Sequence, residues 1–385
     1  MGFLRNIYFY IVIFLSITIF TGCSTSVIKT DSSLDINPYT MFGKTPERIF
    51  YYPVTIGDSL KKMWDAEING SFPNSSVSIY GRYVFVNDLS GRVYCFDMNS
   101  GDKIGQLKNK GAVYSTPVLD RDLVIYLSSQ NDENISDLCF YNLKESKYLK
   151  EIKVSGRALT ELVKTDDGII FTTEMGIVYK YNILGEKLWE TDTKAVTYNS
   201  PALKDSSIVF GNNNGEIISL NAKDGRIQYR NIIGDYFYGG TSISGSEIFI
   251  GDNNGILYSV DLLTGNINWK IKTGARIIIT TACDNDNIYI GNLNGDFYSI
   301  GKLTGKINWG KKLGSLFNIT PLITDNYIIL PDQNEKIYFV EKNTGIIKKN
   351  YNFKGRLKLS PVIANNKFLF IGYDNGVLEA YEIIN

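Results

Sequence analysis

Three acidic clusters, Asp120 with Asp122, Asp166 with Asp167, and Asp284 with Asp286, are where this chain could hold a hard cation or pass a proton. None lies in a DxDxDG calcium loop. Each falls where two short apolar runs join, as do Lys204-Asp205-Ser206-Ser207 and Asn365-Asn366, and Asx-type turns explain that shared placement. The chain has no histidine. That removes Ser-His-Asp and Cys-His nucleophiles, histidine-ligated metals and a histidine pH switch.

Thiols are the other reactive groups. After Cys23 the cysteines are Cys95, Cys139 and Cys283, an odd number with no C-x-x-C and no adjacent pair. Cys95 occupies a column of small residues (Ser219, Ser259, Ser299, Ala380), and Cys139 lies one position out of it, on the opposite strand face. Both read as buried free thiols, as does Cys283. Lys plus Arg and Asp plus Glu number 40 each, which makes nucleic acid and anionic lipid poor partners on composition.

The elements that must position any site are repeats. Gly176, Gly215, Gly255 and Gly295 mark copies of one unit about 40 residues long. In each copy an apolar run ends in a turn such as Asn254-Gly255 or Asn294-Gly295, whose glycine supplies positive φ. An alternating strand follows, with Tyr94, Tyr179, Tyr258, Tyr298 and Tyr338 in one column. A second turn such as Thr264-Gly265 leads to an outer strand, and Ser/Thr-Pro opens the next copy. Four strands per copy predict an all-β fold, an eight-bladed β-propeller, with second-to-third-strand turns near residues 91, 136, 176, 215, 255, 295, 335 and 376.

Trp189, Trp269 and Trp309 stand four residues after a turn glycine, and Tyr229 takes that place after Gly225. They read as blade-docking residues. Trp64 has no blade before it, and Asn385 follows the third strand of the eighth blade. Residues 63–68 are therefore expected to supply that blade's fourth strand and close the ring.

Propeller ligands commonly meet the axis on the face carrying the blade-to-blade loops. Those loops hold Tyr114, Arg157, Tyr198, Tyr236, Phe237, Tyr238, Arg276, Phe317 and Arg356, residue types enriched in interface cores. They form the candidate partner-binding face.

At the N-terminus, Arg5 precedes an apolar run from Ile7 to Phe20, too short to span a bilayer and suited to a signal peptide. The run ends at Thr21-Gly22-Cys23, which resembles a bacterial lipobox with Phe20 where leucine is usual. The expected organisation is a signal peptide over 1–22, a lipidated Cys23 with a tether and lead-in over 23–60, and the propeller over 61–385.

The order Gly255, Tyr258, Asp261, Thr264-Gly265, Trp269, repeated in most blades, resembles the PQQ-like (quinoprotein-type) propeller repeat over about residues 61–385. Within that superfamily the size and lipobox resemble the BamB family of outer-membrane assembly lipoproteins. The resemblance implies an exported, lipid-anchored, non-catalytic scaffold at the periplasmic face of the outer membrane, monomeric, without cofactor or metal. Its implied partner is a protein, a β-barrel assembly subunit. Residues 195–201, which correspond to the family's docking loop, contain neither leucine nor arginine. An exported receptor for a peptide, glycan or small molecule is the alternative. A quinone-dependent dehydrogenase is a third reading, but the vicinal cysteines many such enzymes carry are missing here.

Overall fold

Residues of the alternating strands are apolar on both faces, so each sheet must be covered on both sides. In blade 5, Tyr258 and Val260 pack toward blade 4, while Phe249 and Leu257 pack toward blade 6. A ring of sheets satisfies both faces at once. The computed structural model describes residues 27–31 and 39–384, and its strands form eight four-stranded antiparallel sheets. Blades 1 to 7 follow in chain order, beginning at Ser78, Val118, Val163, Ala202, Ser242, Ala282 and Leu322.

Blade 8 combines Val362–Ala364, Phe368–Gly372 and Val377–Ile384 with the N-terminal strand Ser59–Glu67. The ring is closed as the sequence predicts. Trp64 lies opposite Ala380, just as Trp269 lies opposite Ser259 and Trp309 opposite Ser299. A small residue in that column leaves room for the ring beside it.

Each of these tryptophans docks on the next blade. The indole N–H of Trp64 donates to the Met98 carbonyl at 2.8 Å, that of Trp269 to Lys302 at 2.9 Å and that of Trp309 to Lys342 at 3.0 Å. Beneath the indoles lie Gly101, Gly305 and Gly345, where a Cβ would come within 2.6 to 2.8 Å of the ring. The Thr-Gly turn and the tryptophan are thus two halves of one joint between neighbouring blades.

A second repeated pair stiffens the turn between strands two and three. Asp252 accepts the amides of Asn254 at 3.0 Å and Ile256 at 2.8 Å, and the Tyr258 hydroxyl at 2.9 Å. Asp88 with Tyr94 and Asp332 with Tyr338 repeat the hydroxyl contact at 2.9 Å. Where the turn glycine is missing, Asn134 and Glu335 adopt φ of +52° and +64°.

The acidic clusters all lie in or beside turns between first and second strands. Asp284 accepts the amides of Asp286 and Asn287, the Tyr289 hydroxyl and the Lys342 ammonium, a set that saturates a buried carboxylate. Cys95, Cys139 and Cys283 are buried free thiols, and burial raises the pKa of each.

Residues 39–50, assigned from sequence to the tether and lead-in, fill the centre of the ring, and residues 52–56 leave it along blade 7. The backbone amides of Ile79, Leu119, Leu203, Ile243, Cys283 and Ile323 are equivalent inner-strand positions of six blades. They donate to the carbonyls of Tyr39, Thr40, Pro46, Glu47, Ile49 and Phe50. An inner strand has a free hydrogen-bonding edge facing the axis, and this segment satisfies it. Phe42, Phe50 and Tyr52 are buried with it.

Candidate functional site at the mouth of the axial funnel

On the face carrying the blade-to-blade loops the plug stops short of the surface. It leaves a funnel of about 390 Å³, with Phe42 and Glu161 among its lining and Tyr114, Tyr198 and Tyr238 around it. Glu161 is buried and accepts the Thr116 amide at 2.8 Å and hydroxyl at 3.1 Å. Burial raises its pKa to about 7, against the opposing pull of Arg48 and Thr116.

Arg48 is the plug's fixing point. Its side chain is fully buried, donating Nε to the Pro201 carbonyl and Nη2 to the Glu161 and Leu162 carbonyls at 3.1 Å each. Its guanidinium lies 5.5 Å from the Phe42 ring centroid. Burial lowers its pKa to about 10, with Glu161 and Tyr39 acting the other way. Lys44, Arg48 and Phe50 all have φ between +54° and +68°, so the plug holds backbone strain that the surrounding contacts must offset.

The nine residues expected on the partner-binding face divide three ways. Tyr198 stacks on Tyr238 with centroids 6.2 Å apart, and Tyr236 stacks on Tyr238 at 6.1 Å. With Tyr114 beside the funnel and exposed Arg276 near Tyr236, these make one aromatic rim. Desolvation raises the Tyr236 pKa, with neighbouring Tyr198 and Tyr238 adding to it. Arg157 and Arg356 lie in the same loop layer but are engaged in ion pairs, Arg157 with Glu174 at 2.5 Å and Arg356 with Asp374 at 2.6 Å.

Phe237 and Phe317 do not belong to the face. Both are fully buried, filling the space above Gly211 and Gly291, where a Cβ would come within 2.6 and 2.7 Å of them. The reason is alternation: in the run 236–238 the two tyrosines point outward, and the residue between them must point in.

Nothing in the sequence marks Glu161 or Arg48 as a site residue. Arg48 falls within the stretch assigned to the tether and lead-in, and Glu161 sits in a loop whose neighbours give no periodic signal. The docking-loop equivalent, residues 195–201, opens directly onto the funnel. Val196 is exposed, Tyr198 stands on the rim, and the Asn199 carboxamide is buried, donating to the Gly239 carbonyl and accepting the Thr241 hydroxyl at 2.8 Å. Cys23 lies outside the described residues.

No curated protein sequence matches this chain. Among solved structures, BamB from Moraxella catarrhalis superposes with a TM-score of 0.71 at 16% identity, covering 84% of this chain and 100% of that one. Quinohemoprotein alcohol dehydrogenase from Comamonas testosteroni gives 0.74 at 10% identity, over 90% of this chain and 80% of that one. The computationally designed Ika8 protein gives 0.71 at 12% identity, over 84% and 100%. At such identities these likenesses establish the fold alone. The family profile described as outer membrane protein assembly factor BamB matches over residues 61–271 and 253–352, most of the ring. By that match and by its eight-bladed fold, this chain belongs to the BamB family of PQQ-repeat propellers.

Proposed function

We propose that this protein is a non-catalytic scaffold, anchored at the outer membrane through Cys23, that binds a protein partner of the β-barrel assembly machinery at the funnel rim. The observation that carries this reading is the stack of Tyr198, Tyr238 and Tyr236 beside Arg276. Stacked tyrosines lose little conformational freedom on binding and give a large contact area, the property of interface anchors. The axis below is occupied by Phe42, Arg48 and Phe50 of the chain itself, which favours a surface that docks a partner over a channel.

The family match and the position of residues 195–201 at the funnel support the same reading. Its residues differ from the family's leucine and arginine, so the partner's surface is expected to present groups that pair with exposed tyrosine instead. A Tyr236→Ala, Arg276→Ala double variant tests the site. Loss of partner capture with an unchanged unfolding midpoint supports it, and retention of every partner removes it.

A receptor for a small ligand is the second reading. It draws on the funnel's volume, which falls within the roughly 300–1,000 Å³ of ligand pockets.

A further inference from the structure

Blade 1 departs from the repeat at one position. Four residues after Gly101, where blades 3 to 6 place Trp189, Tyr229, Trp269 and Trp309 and blades 2 and 7 place Lys150 and Lys349, stands Gly105. Its missing side chain is replaced from elsewhere in the chain. A Cβ at Gly105 would meet the Val27 carbonyl oxygen at 2.1 Å and the Ile28 Cα at 3.1 Å. Ile28 is fully buried in the core between blades 1 and 2, among residues including Phe85, Leu107 and Tyr141. The Ile28 amide donates to the Tyr141 hydroxyl at 3.0 Å, and that hydroxyl donates to the Ile28 carbonyl at 2.9 Å. Farther in, the Asp31 amide donates to the Tyr83 hydroxyl at 3.2 Å, and the same hydroxyl donates to the Asp31 carboxylate.

Ile28 is thus the wedge that joins blade 1 to blade 2, in the role a tryptophan has at other joints. The direction of the segment matters as much as its fit. Val27 lies at the outer strand Lys103–Lys108, Asp31 at the second strand of blade 1, and Tyr39 at the axis. The chain therefore enters the ring from its outer rim, between blades 1 and 2.

Cys23 precedes Val27 by four residues, a reach of at most about 14 Å at ~3.3–3.6 Å per residue. We propose that the docked segment holds the outer edges of blades 1 and 2 against a phospholipid bilayer, so that the propeller stands edge-on and its funnel opens to the side. This rests on the reading that Cys23 carries the lipid anchor. The two outer strands at that edge, Lys103–Lys108 and Lys147–Ser155, hold five lysines and one glutamate, a net +4 that suits anionic headgroups. Blades 5 and 6 have equally basic outer strands, so charge permits the contact and the anchor selects the edge.

The test uses the full lipidated protein in vesicles of phosphatidylethanolamine and phosphatidylglycerol. A benzophenone side chain replaces Leu149 on blade 2 or Asn308 on blade 6. These are exposed and equivalent outer-strand positions on opposite sides of the ring. Lipid adducts at position 149 are expected to exceed those at 308 by at least tenfold. Equal labelling on protein whose mass includes the acyl chains would overturn the orientation while leaving the anchor reading intact. Protein of unlipidated mass would overturn the anchor reading and the orientation with it. In a Gly105→Trp variant the indole displaces residues 27 and 28, and the ratio is expected to fall at least threefold with the acyl chains still attached. An unchanged ratio there would overturn the role of the docked segment.

Discussion

Trp64 and Gly101 meet face to backbone across the closing joint of the ring, with the indole N–H donating to the Met98 carbonyl at 2.8 Å and a Cβ at Gly101 barred by 2.6 Å. The strand that carries Trp64 pairs with Val377–Ile384 in blade 8, so this contact docks the last blade of the ring on the first. Gly101 also has φ of +76°, and the same residue meets both constraints.

Replacing Trp64 by alanine is expected to cost about 3–5 kcal/mol, the usual range for removing a buried aromatic. Gly101→Ala is expected to be destabilising for two reasons, the clash and the positive φ. Urea unfolding of both variants measures this. Midpoints unchanged from the parent would mean that the ring is held shut by something else.

Glu335 marks a place where the repeat has drifted from its own rule. Its side chain is exposed and its backbone left-handed at +64°, where other blades use glycine. Glu335→Gly relieves about 1–2 kcal/mol of conformational strain and returns part of it as unfolded-chain entropy. A net gain of about 0.5–1 kcal/mol is expected in the same unfolding assay.

The division of the aromatic rim gives opposite expectations for neighbouring residues. Phe317→Ala empties a fully buried site and should cost about 3–5 kcal/mol. Tyr238→Ala removes a side chain that is 45% exposed and should change stability by about 0.5 kcal/mol or less. Partner capture per folded molecule should respond in reverse, falling for the Tyr238 variant and holding for the Phe317 variant.

Glu161 gives the protein a pH dependence that histidine cannot supply. Burial raises its pKa from the ordinary carboxyl value of 4.5 to about 7 in the fold. Between those values the folded state binds the extra proton. The contribution is therefore fully present below pH 4.5 and is lost as the pH rises through 7. Stability measured by denaturant should decline from about pH 5 to pH 8, by an amount on the order of a few kcal/mol at most. Glu161→Gln should flatten that decline, and an undiminished slope in the variant would assign it to another group.

The propeller was legible because its joints are made by side chains that must recur: Tyr258 for the turn aspartate, Trp269 for the glycine of the next blade. The plug was not, since six of its contacts use backbone carbonyls, which any residue provides. Only Phe42 and the Phe50-Tyr51-Tyr52 run hinted that this stretch packs. At the rim, strand alternation separates Phe237 from Tyr236 and Tyr238, a distinction available in the sequence but hidden when all three are read as one aromatic patch. The wedge at Ile28 left a trace as well, in Gly105, which leaves its place in the tryptophan column without a side chain.

Crosslinking the intact protein in its native membrane from a photoreactive residue at position 238 tests the central claim most directly. A β-barrel assembly subunit joined at that position, and lost when Tyr198 is also replaced by alanine, is the expected result. Reproducible absence of any such subunit, with the protein folded and membrane-bound, would contradict the scaffold reading.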